Sequence, residues 1–95
     1  GCAGGQCNLA ECYYHGKGVT KNLRTARSWF QKSADQDFAG ALLMLGTMMV
    51  KGEGGVMILD KGRSLWEQAA AKGQEKAQEN LDKLDRVVKA TVFSG

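Results

Sequence analysis

The amino-acid sequence predicts an all-α fold, an α-solenoid in which antiparallel helix pairs stack on one another. Three observations lead to this prediction. The chain matches itself at a fixed offset, its apolar residues recur at the spacing of a helix face, and its 95 residues include 13 glycines but no proline. Because glycine suits the left-handed residue that follows a helix, such a composition indicates helices that end at glycine.

The fixed offset is 36 residues, and it defines two full repeats and the opening helix of a third. The residue pairs that are identical at this offset are Ala3 and Ala39, Gly4 and Gly40, Leu9 and Leu45, Gly16 and Gly52, Gly18 and Gly54, Leu23 and Leu59, Arg27 and Arg63, Ser28 and Ser64, Ala34 and Ala70, Ala41 and Ala77, and Leu45 and Leu81. We therefore predict five helices in a single domain over residues 1–95, with repeat 1 at about 3–37, repeat 2 at about 38–73 and a C-terminal capping helix at about 74–91.

In the first repeat, the segment CNLAECYYHGKG predicts a helix that ends at Gly16 and places Leu9, Cys12 and Tyr13 at core spacing. Asn22 is the predicted N-cap of the second helix, because its side chain can accept a hydrogen bond from the first turn. The apolar stripe of that helix consists of Leu23, Ala26, Trp29, Phe30 and Ala34. We therefore expect both aromatic residues of this stripe to lie in the core.

The second repeat follows the same plan. Its first helix carries Leu45, Met48 and Met49 before Gly52, and Asp60 either caps the second helix or lies in its first turn. The apolar stripe of the second helix consists of Leu59, Leu65, Trp66, Ala69 and Ala70. The repeat therefore predicts a second helix pair with its own tryptophan in the core.

Gly73 ends the fourth helix, and the segment QEKAQENLDKLDRVVKA predicts a fifth helix that is far more polar. The one apolar stripe along it consists of Ala77, Leu81, Leu84 and Val88. Opposite charges four residues apart predict ion pairs on its other faces, and these pairs are Glu79–Lys83, Asp82–Arg86 and Asp85–Lys89. A polar outer face is what the terminal helix of a repeat stack needs, so we assign this helix as the cap.

Residues of both repeats resemble the pattern of a known family. In the first repeat they are Leu9, Ala10, Tyr13, Gly16, Lys17, Gly18, Val19, Asn22, Ala26, Trp29, Phe30, Ser33 and Ala34, and in the second they are Leu45, Gly46, Gly52, Glu53, Gly54, Lys61, Gly62, Trp66, Ala69, Ala70 and Gly73. Over residues 3–81 the sequence is similar to the Sel1-like repeats, which resemble tetratricopeptide repeats. It departs from them where Gly55 displaces Val56 and where Met49 replaces an aromatic residue, which leaves the path of residues 54–61 open.

The resemblance implies a right-handed superhelix in which the first helix of each repeat lines the concave face. It also implies an adaptor or scaffold for protein–protein interaction that needs neither catalytic residues nor a cofactor. We therefore expect the partner to be a protein or peptide, with self-association into a homodimer as the second possibility.

The segment ALLMLGTMMV, residues 41–50, has no charged residue and forms the middle helix of the stack. Burial by neighbouring helices on nearly every side explains such a helix. Comparison of the repeats supports a second interpretation, because positions that are polar in the first repeat are apolar here, as at a binding surface. The predicted partner-binding residues are Leu42, Met44, Thr47 and Val50, rimmed by Asn8, Glu11, Tyr14 and His15.

Residues that could carry chemistry are few. Cys2, Cys7, Cys12 and His15 have ligand-type side chains, but a five-residue helical step turns by about 140° and scatters them, so we predict no metal site. Cys12 and His15 leave one alternative, a small-ligand or hydrolase-like protein in which they act as nucleophile and base. Because no third group orients the histidine, we predict neither an enzyme nor a cofactor.

Charge and composition bear on partner and compartment. A net charge of +3 without a dense basic stripe predicts no nucleic-acid partner, and the lack of a long apolar segment predicts no membrane partner. An odd number of cysteines and the lack of a signal segment favour the cytoplasm, while export stays open. Because the chain does not begin with Met, a further alternative is a slice of a longer solenoid, which exposed apolar ends near Cys2, Val92 and Phe93 would favour.

Overall fold

The computed structural model describes the backbone of residues 2–94 and the side chains of residues 2–87. The helices of this part are α1 (Ala3–His15), α2 (Leu23–Asp35), α3 (Ala39–Lys51), α4 (Leu59–Ala71) and α5 (Glu75–Ser94), and it contains no strand. α1 packs against α2 and α3 against α4, while contacts of α2 with α3 and of α4 with α5 stack the pairs. The predicted α-solenoid is confirmed, with dimensions of 44 × 27 × 17 Å.

The helix ends follow from the local sequence. The Asn22 side chain accepts a hydrogen bond from the backbone N–H of Thr25 at 3.0 Å, which confirms it as the N-cap of α2. Gly16 and Gly52 follow α1 and α3 in the left-handed conformation, with φ values of 73° and 72°. Asp60 lies in the first turn of α4 and does not cap it.

The turn between α3 and α4 follows the same hydrogen-bonding pattern as the turn between α1 and α2. The backbone N–H of Ile58 donates to the carbonyl oxygen of Met49 at 2.9 Å, and the N–H of Asn22 donates to the carbonyl oxygen of Tyr13 at 2.9 Å. Ile58 and Met49 lie 36 residues after Asn22 and Tyr13, so the two hydrogen bonds join equivalent positions of the two repeats. The sequence departures within residues 54–61 therefore leave the repeat geometry intact.

We expect Ile58→Asn to raise the free energy of unfolding by about 1 kcal/mol, because it supplies a missing helix cap. Ile58 is the N-cap of α4 but gives no side-chain hydrogen bond, and it is 39% exposed. Its φ and ψ of −133° and 93° are close to the −152° and 100° of Asn22, so the new amide can cap α4 in the same way. Urea unfolding measures the change. The control Asn22→Ile removes the existing cap of α2 and should lower the free energy of unfolding by a similar amount. An Ile58→Asn protein less stable than the native chain would contradict this account.

The core explains why α3 carries no charge over residues 41–50. The buried side chains of α3 are Ala41, Leu42, Leu45, Met48 and Met49, and they belong to one cluster with buried residues of the neighbouring helices. Phe30 and Trp66 are buried, as predicted, whereas Trp29 is half-buried with the Lys32 ammonium 4.3 Å from its ring centre. α5 packs far more on α4 than on α3, so the predicted burial of α3 on nearly every side is incomplete.

Apolar side chains are exposed in the loop before α4 and at the first residue of α4, which the sequence assigns to the core. Leu59 is 44% exposed, so its predicted place in the buried stripe of α4 is wrong. Val56 and Met57 are 74% and 57% exposed. Arg27 of α2 holds this loop, because its guanidinium donates hydrogen bonds to the carbonyl oxygens of Glu53 at 3.2 Å and of Val56 at 2.9 Å.

The ion pairs of α5 differ from those that the charge spacing predicts. Glu79 pairs with Lys76 at 3.7 Å and not with Lys83. Asp85 pairs with Arg63 of α4, and this contact joins the two helices. The i,i+4 charge pattern of α5 therefore predicts neither the i,i+3 pair of Lys76 with Glu79 nor the pair of Asp85 with Arg63 of α4.

The apolar stripe of α5 packs toward the solenoid. Ala77 and Leu81 are buried and Leu84 is half-buried, as predicted. Arg86 donates to the backbone carbonyl oxygen of Asp82 at 3.3 Å, in place of the predicted ion pair. The predicted contacts that lie outside the described side chains are those of Val88, Lys89, Val92 and Phe93.

Candidate functional site

A groove opens between α3, the first helix of the second repeat, and α5, the capping helix. It encloses a cavity of about 640 Å³. Its lining residues are Leu43, Met44, Thr47, Val50 and Lys51 of α3, Trp66 of α4, and Lys76, Asn80, Lys83, Leu84 and Val87 of α5. We call this set the α3–α5 groove, and its volume lies in the range that can enclose a ligand or several side chains of a partner.

The floor of the α3–α5 groove is apolar because its polar atoms are paired internally. The indole N–H of Trp66 donates to the carbonyl oxygen of Leu43 at 3.1 Å and to the hydroxyl oxygen of Thr47 at 3.3 Å. The Thr47 hydroxyl in turn donates to the same carbonyl at 3.0 Å. Gly46 permits this arrangement, since a Cβ there would lie 2.6 Å from Cδ1 of the indole. A ligand would therefore meet carbon surface at the floor.

Three lysines lie at the edge of the α3–α5 groove, and among its described lining residues there is no aspartate or glutamate. Lys51 ends α3, Lys76 lies in the first turn of α5, and Lys83 follows about two turns later. All three side chains are exposed. The groove thus combines an apolar floor with a positively charged rim.

Three of the eight residues predicted to bind a partner line this groove, namely Met44, Thr47 and Val50. All three are half-buried, so part of each side chain faces the cavity. Leu42 does not join them, because it is 1% exposed and lies in the core. It falls on the same helix face as the buried Leu45, three residues later. The expectation that Leu42 contacts a partner is corrected accordingly.

The four residues predicted from α1 lie outside the groove. Asn8, Glu11 and His15 are exposed, and Tyr14 is half-buried. The Tyr14 hydroxyl donates to the Glu53 carboxylate at 2.9 Å, which links α1 to the turn after α3. Burial, followed by this hydrogen bond, raises the pKa of Tyr14, so the hydroxyl keeps its proton at neutral pH. Tyr14 therefore connects the two repeats.

The sequence reasoning missed the α5 side of the groove. The α5 residues that line it are Lys76, Asn80, Lys83, Leu84 and Val87. Their spacing of i, i+4, i+7, i+8 and i+11 places them on one helix face, and this signal was present in the sequence. Because polar residues also suit the solvent face of a capping helix, the sequence alone does not distinguish the groove residues of α5 from its other polar residues.

The alternative site at Cys12 and His15 lacks the contacts of a catalytic pair. No hydrogen bond joins these two side chains within the described part of the chain, and the His15 ring packs edge-on against Tyr14 with centroids 5.0 Å apart. Burial, together with the charge of Glu11, raises the pKa of Cys7, which keeps this thiol protonated and weakly nucleophilic. Among the described residues, no group of three His, Cys, Asp or Glu side chains could hold a metal ion.

A profile of the Sel1 repeat matches residues 3–38 and 39–74. The chain belongs to the Sel1 repeat family. The two matched segments contain α1 with α2 and α3 with α4, which agrees with the observed helix pairs. Proteins built from Sel1 repeats generally mediate protein–protein interactions, and the fold is typically a non-enzymatic interaction module.

One curated relative is chitin synthase regulatory factor 3 of Schizosaccharomyces pombe, which is 37% identical over 81 residues. The match covers 82% of this chain but only 9% of the yeast protein. The Sel1 chain therefore spans about a tenth of the length of that relative.

Solved structures of Sel1 repeat proteins share the fold. A Sel1 repeat protein from Oxalobacter formigenes has a TM-score of 0.85 and 34% identity, over 87% of this chain and 62% of that protein. Cysteine-rich protein B of Helicobacter pylori has a TM-score of 0.78 and 29% identity, over 83% and 59% of the respective chains. A protective antigen of uropathogenic Escherichia coli strains has a TM-score of 0.79 and 25% identity, over 81% and 16%. The Sel1 chain thus spans less than two thirds of each neighbour.

None of the helices within residues 2–94 combines the length and apolar character required to span a bilayer.

Proposed function

We propose that this Sel1 domain is a non-enzymatic adaptor or scaffold unit that binds a segment of a partner protein in the α3–α5 groove. The observation that carries the proposal is an open groove whose floor is apolar, lying between the first helices of two successive units. Exposed apolar patches of this kind on small domains usually mark interaction sites. Methionine at such a site adapts its shape to the ligand, which suits Met44 to this role.

Comparison of the two repeats supports the same proposal. The offset of 36 residues places Met44 at the position of Asn8, and Thr47 at the position of Glu11. Asn8 and Glu11 are exposed and polar on α1, so a polar side chain at this position of the first helix is compatible with the fold. The apolar character of Met44 is therefore better explained by what the groove binds than by what the fold needs.

A peptide library tests the proposal. The groove residues of α5 run from Lys76 to Val87, a length of about 17 Å along a helix axis, so peptides of about 12 residues suffice. We expect random peptides of this length, displayed on phage, to yield sequences that bind the 95-residue chain. Met44→Glu or Val50→Glu should weaken this binding by about tenfold or more, because a carboxylate resists burial beneath an apolar ligand.

Two exposed residues provide matched controls for these substitutions. Met57→Glu and Val56→Glu make the same chemical changes in the loop before α4, outside the groove, and should leave the peptide affinity unchanged. Circular dichroism confirms that each variant is folded. Peptide binding that survives both groove substitutions, or the absence of any binding peptide, would contradict the proposal.

Light scattering over a concentration series distinguishes a partner protein from self-association. We expect the free chain to remain monomeric at the concentrations used for peptide binding. A dimer that Met44→Glu converts into a folded monomer would show that a second copy occupies the groove, in place of a partner segment.

A further inference from the structure

The charged side chains among the described lining residues of the α3–α5 groove are all of one sign. Lys51, Lys76 and Lys83 line it, and among the lining residues no carboxylate offsets them. The acidic residues of the first half of α5, such as Glu75 and Glu79, do not line the groove. A ligand in the groove therefore meets carbon surface below and three ammonium groups at the edge.

Internal ion pairs neutralise little of this charge. Lys76 pairs with Glu79 at 3.7 Å, but both side chains are more than half exposed and such pairs are weak. Within the described side chains, Lys51 and Lys83 have no carboxylate within ion-pair distance. The predicted partner of Lys83 is Glu79, which turns to Lys76 instead. Two of the three ammonium groups are thus available to a ligand.

The fold alone accounts for the position of Lys51 but not for the positions of Lys76 and Lys83. Lys51 ends α3, where the helix dipole favours a cation. Lys76 lies in the first turn of α5, where the dipole disfavours a cation, and Lys83 lies mid-helix, where the dipole has little effect. The lysines of α5 are therefore better explained by the charge of what binds beside them.

We propose that the partner segment is acidic, with apolar side chains that enter the α3–α5 groove and flanking carboxylates that pair with Lys51, Lys76 and Lys83. The inference rests on the proposed function of the groove and adds the chemistry of its ligand. The same charge argument disfavours a second copy, because a two-fold interface sets each patch against itself and would oppose the lysines of one copy to those of the other.

The composition of the selected peptides tests this inference first. We expect groove-dependent binders, defined as those that Met44→Glu weakens, to contain more Asp and Glu than the unselected library and fewer Lys and Arg. Their affinity should fall as salt is added, since rim charge pairs are screened. Groove-dependent binders that are neutral or basic would overturn the acidic partner and leave the proposed function standing. If no groove-dependent peptide is recovered, both fail.

Charge reversal at the rim gives the second test. The double variant Lys51→Glu/Lys83→Glu should bind an acidic peptide from the selection about tenfold more weakly, because two attractions become repulsions. When every Asp and Glu of that peptide is replaced by Lys, the double variant should bind the resulting peptide more tightly than the native chain does. The control Lys17→Glu/Lys61→Glu changes the net charge equally at exposed lysines outside the groove. If both double variants lose the same affinity for the acidic peptide, or if Lys51→Glu/Lys83→Glu loses none, the assignment of the acidic partner to this rim is overturned.

Discussion

Gly54→Ala is expected to lower the free energy of unfolding by about 3 kcal/mol, whereas Gly18→Ala should cost only about 1 kcal/mol. The two glycines are equivalent in the repeat and have nearly the same positive φ, 72° and 73°. A Cβ on Gly54 would overlap the carbonyl oxygen of Leu23 and approach the backbone N of Arg24 to 3.1 Å. A Cβ on Gly18 would meet nothing within 4 Å. The backbone strain is shared, so the clash with α2 accounts for the difference.

Urea unfolding followed by far-ultraviolet circular dichroism measures both losses under identical conditions. The comparison needs no assumption about the unfolded state, because the same change is made at the same repeat position and affects the unfolded chain almost equally. Equal losses would show that the turn after α3 does not pack on the first turn of α2 in solution. The stacking of the second repeat on the first would then be looser than the structure has it.

These two glycines also show where the sequence stops being informative. The glycines that follow α1 and α3 and the Asn22 cap predict where helices begin and end, because each depends on residues close in sequence, and the repeat offset predicts their order. Gly18 and Gly54 look identical at that level. Only the packing of one repeat on the next separates them, since the turn at Gly54 has α2 beside it whereas a Cβ at Gly18 would face open space.

The candidate site could be predicted in part, for a similar reason. The sequence predicts Met44, Thr47 and Val50 because they are less polar than Asn8, Glu11 and Tyr14 at the same positions of α1. The other wall of the groove was missed, since the sequence does not reveal that α5 packs on α4 and leaves α3 partly open. The sequence predicts Asn8, Glu11, Tyr14 and His15 at the rim, whereas the groove lies between α3 and α5. The repeat pattern alone does not indicate whether α1 and α3 or α3 and α5 border the open space.

Two methionines one helical turn apart should respond very differently to truncation. We expect Met48→Ala to lower the free energy of unfolding by about 2–5 kcal/mol, because Met48 is fully buried and its loss leaves a cavity. Met44→Ala should cost less than about 1 kcal/mol, since Met44 is half-buried at the groove. For a domain with a total stability of about 5–15 kcal/mol, the first change is a large part of the whole. Urea unfolding of both variants measures the difference.

Peptide affinity should show the reverse order. Met48→Ala should leave the affinity of the folded fraction nearly unchanged, whereas Met44→Ala should weaken it, because Met44 lines the groove and Met48 does not. A Met44→Ala protein as unstable as Met48→Ala would mean that the groove is closed in solution and that Met44 is part of the core. If Met48→Ala lowers stability and Met44→Ala lowers affinity, adjacent turns of α3 have separate roles, one in the stability of the solenoid and the other in recognition. Such a division explains why α3 can lack charge without being wholly buried.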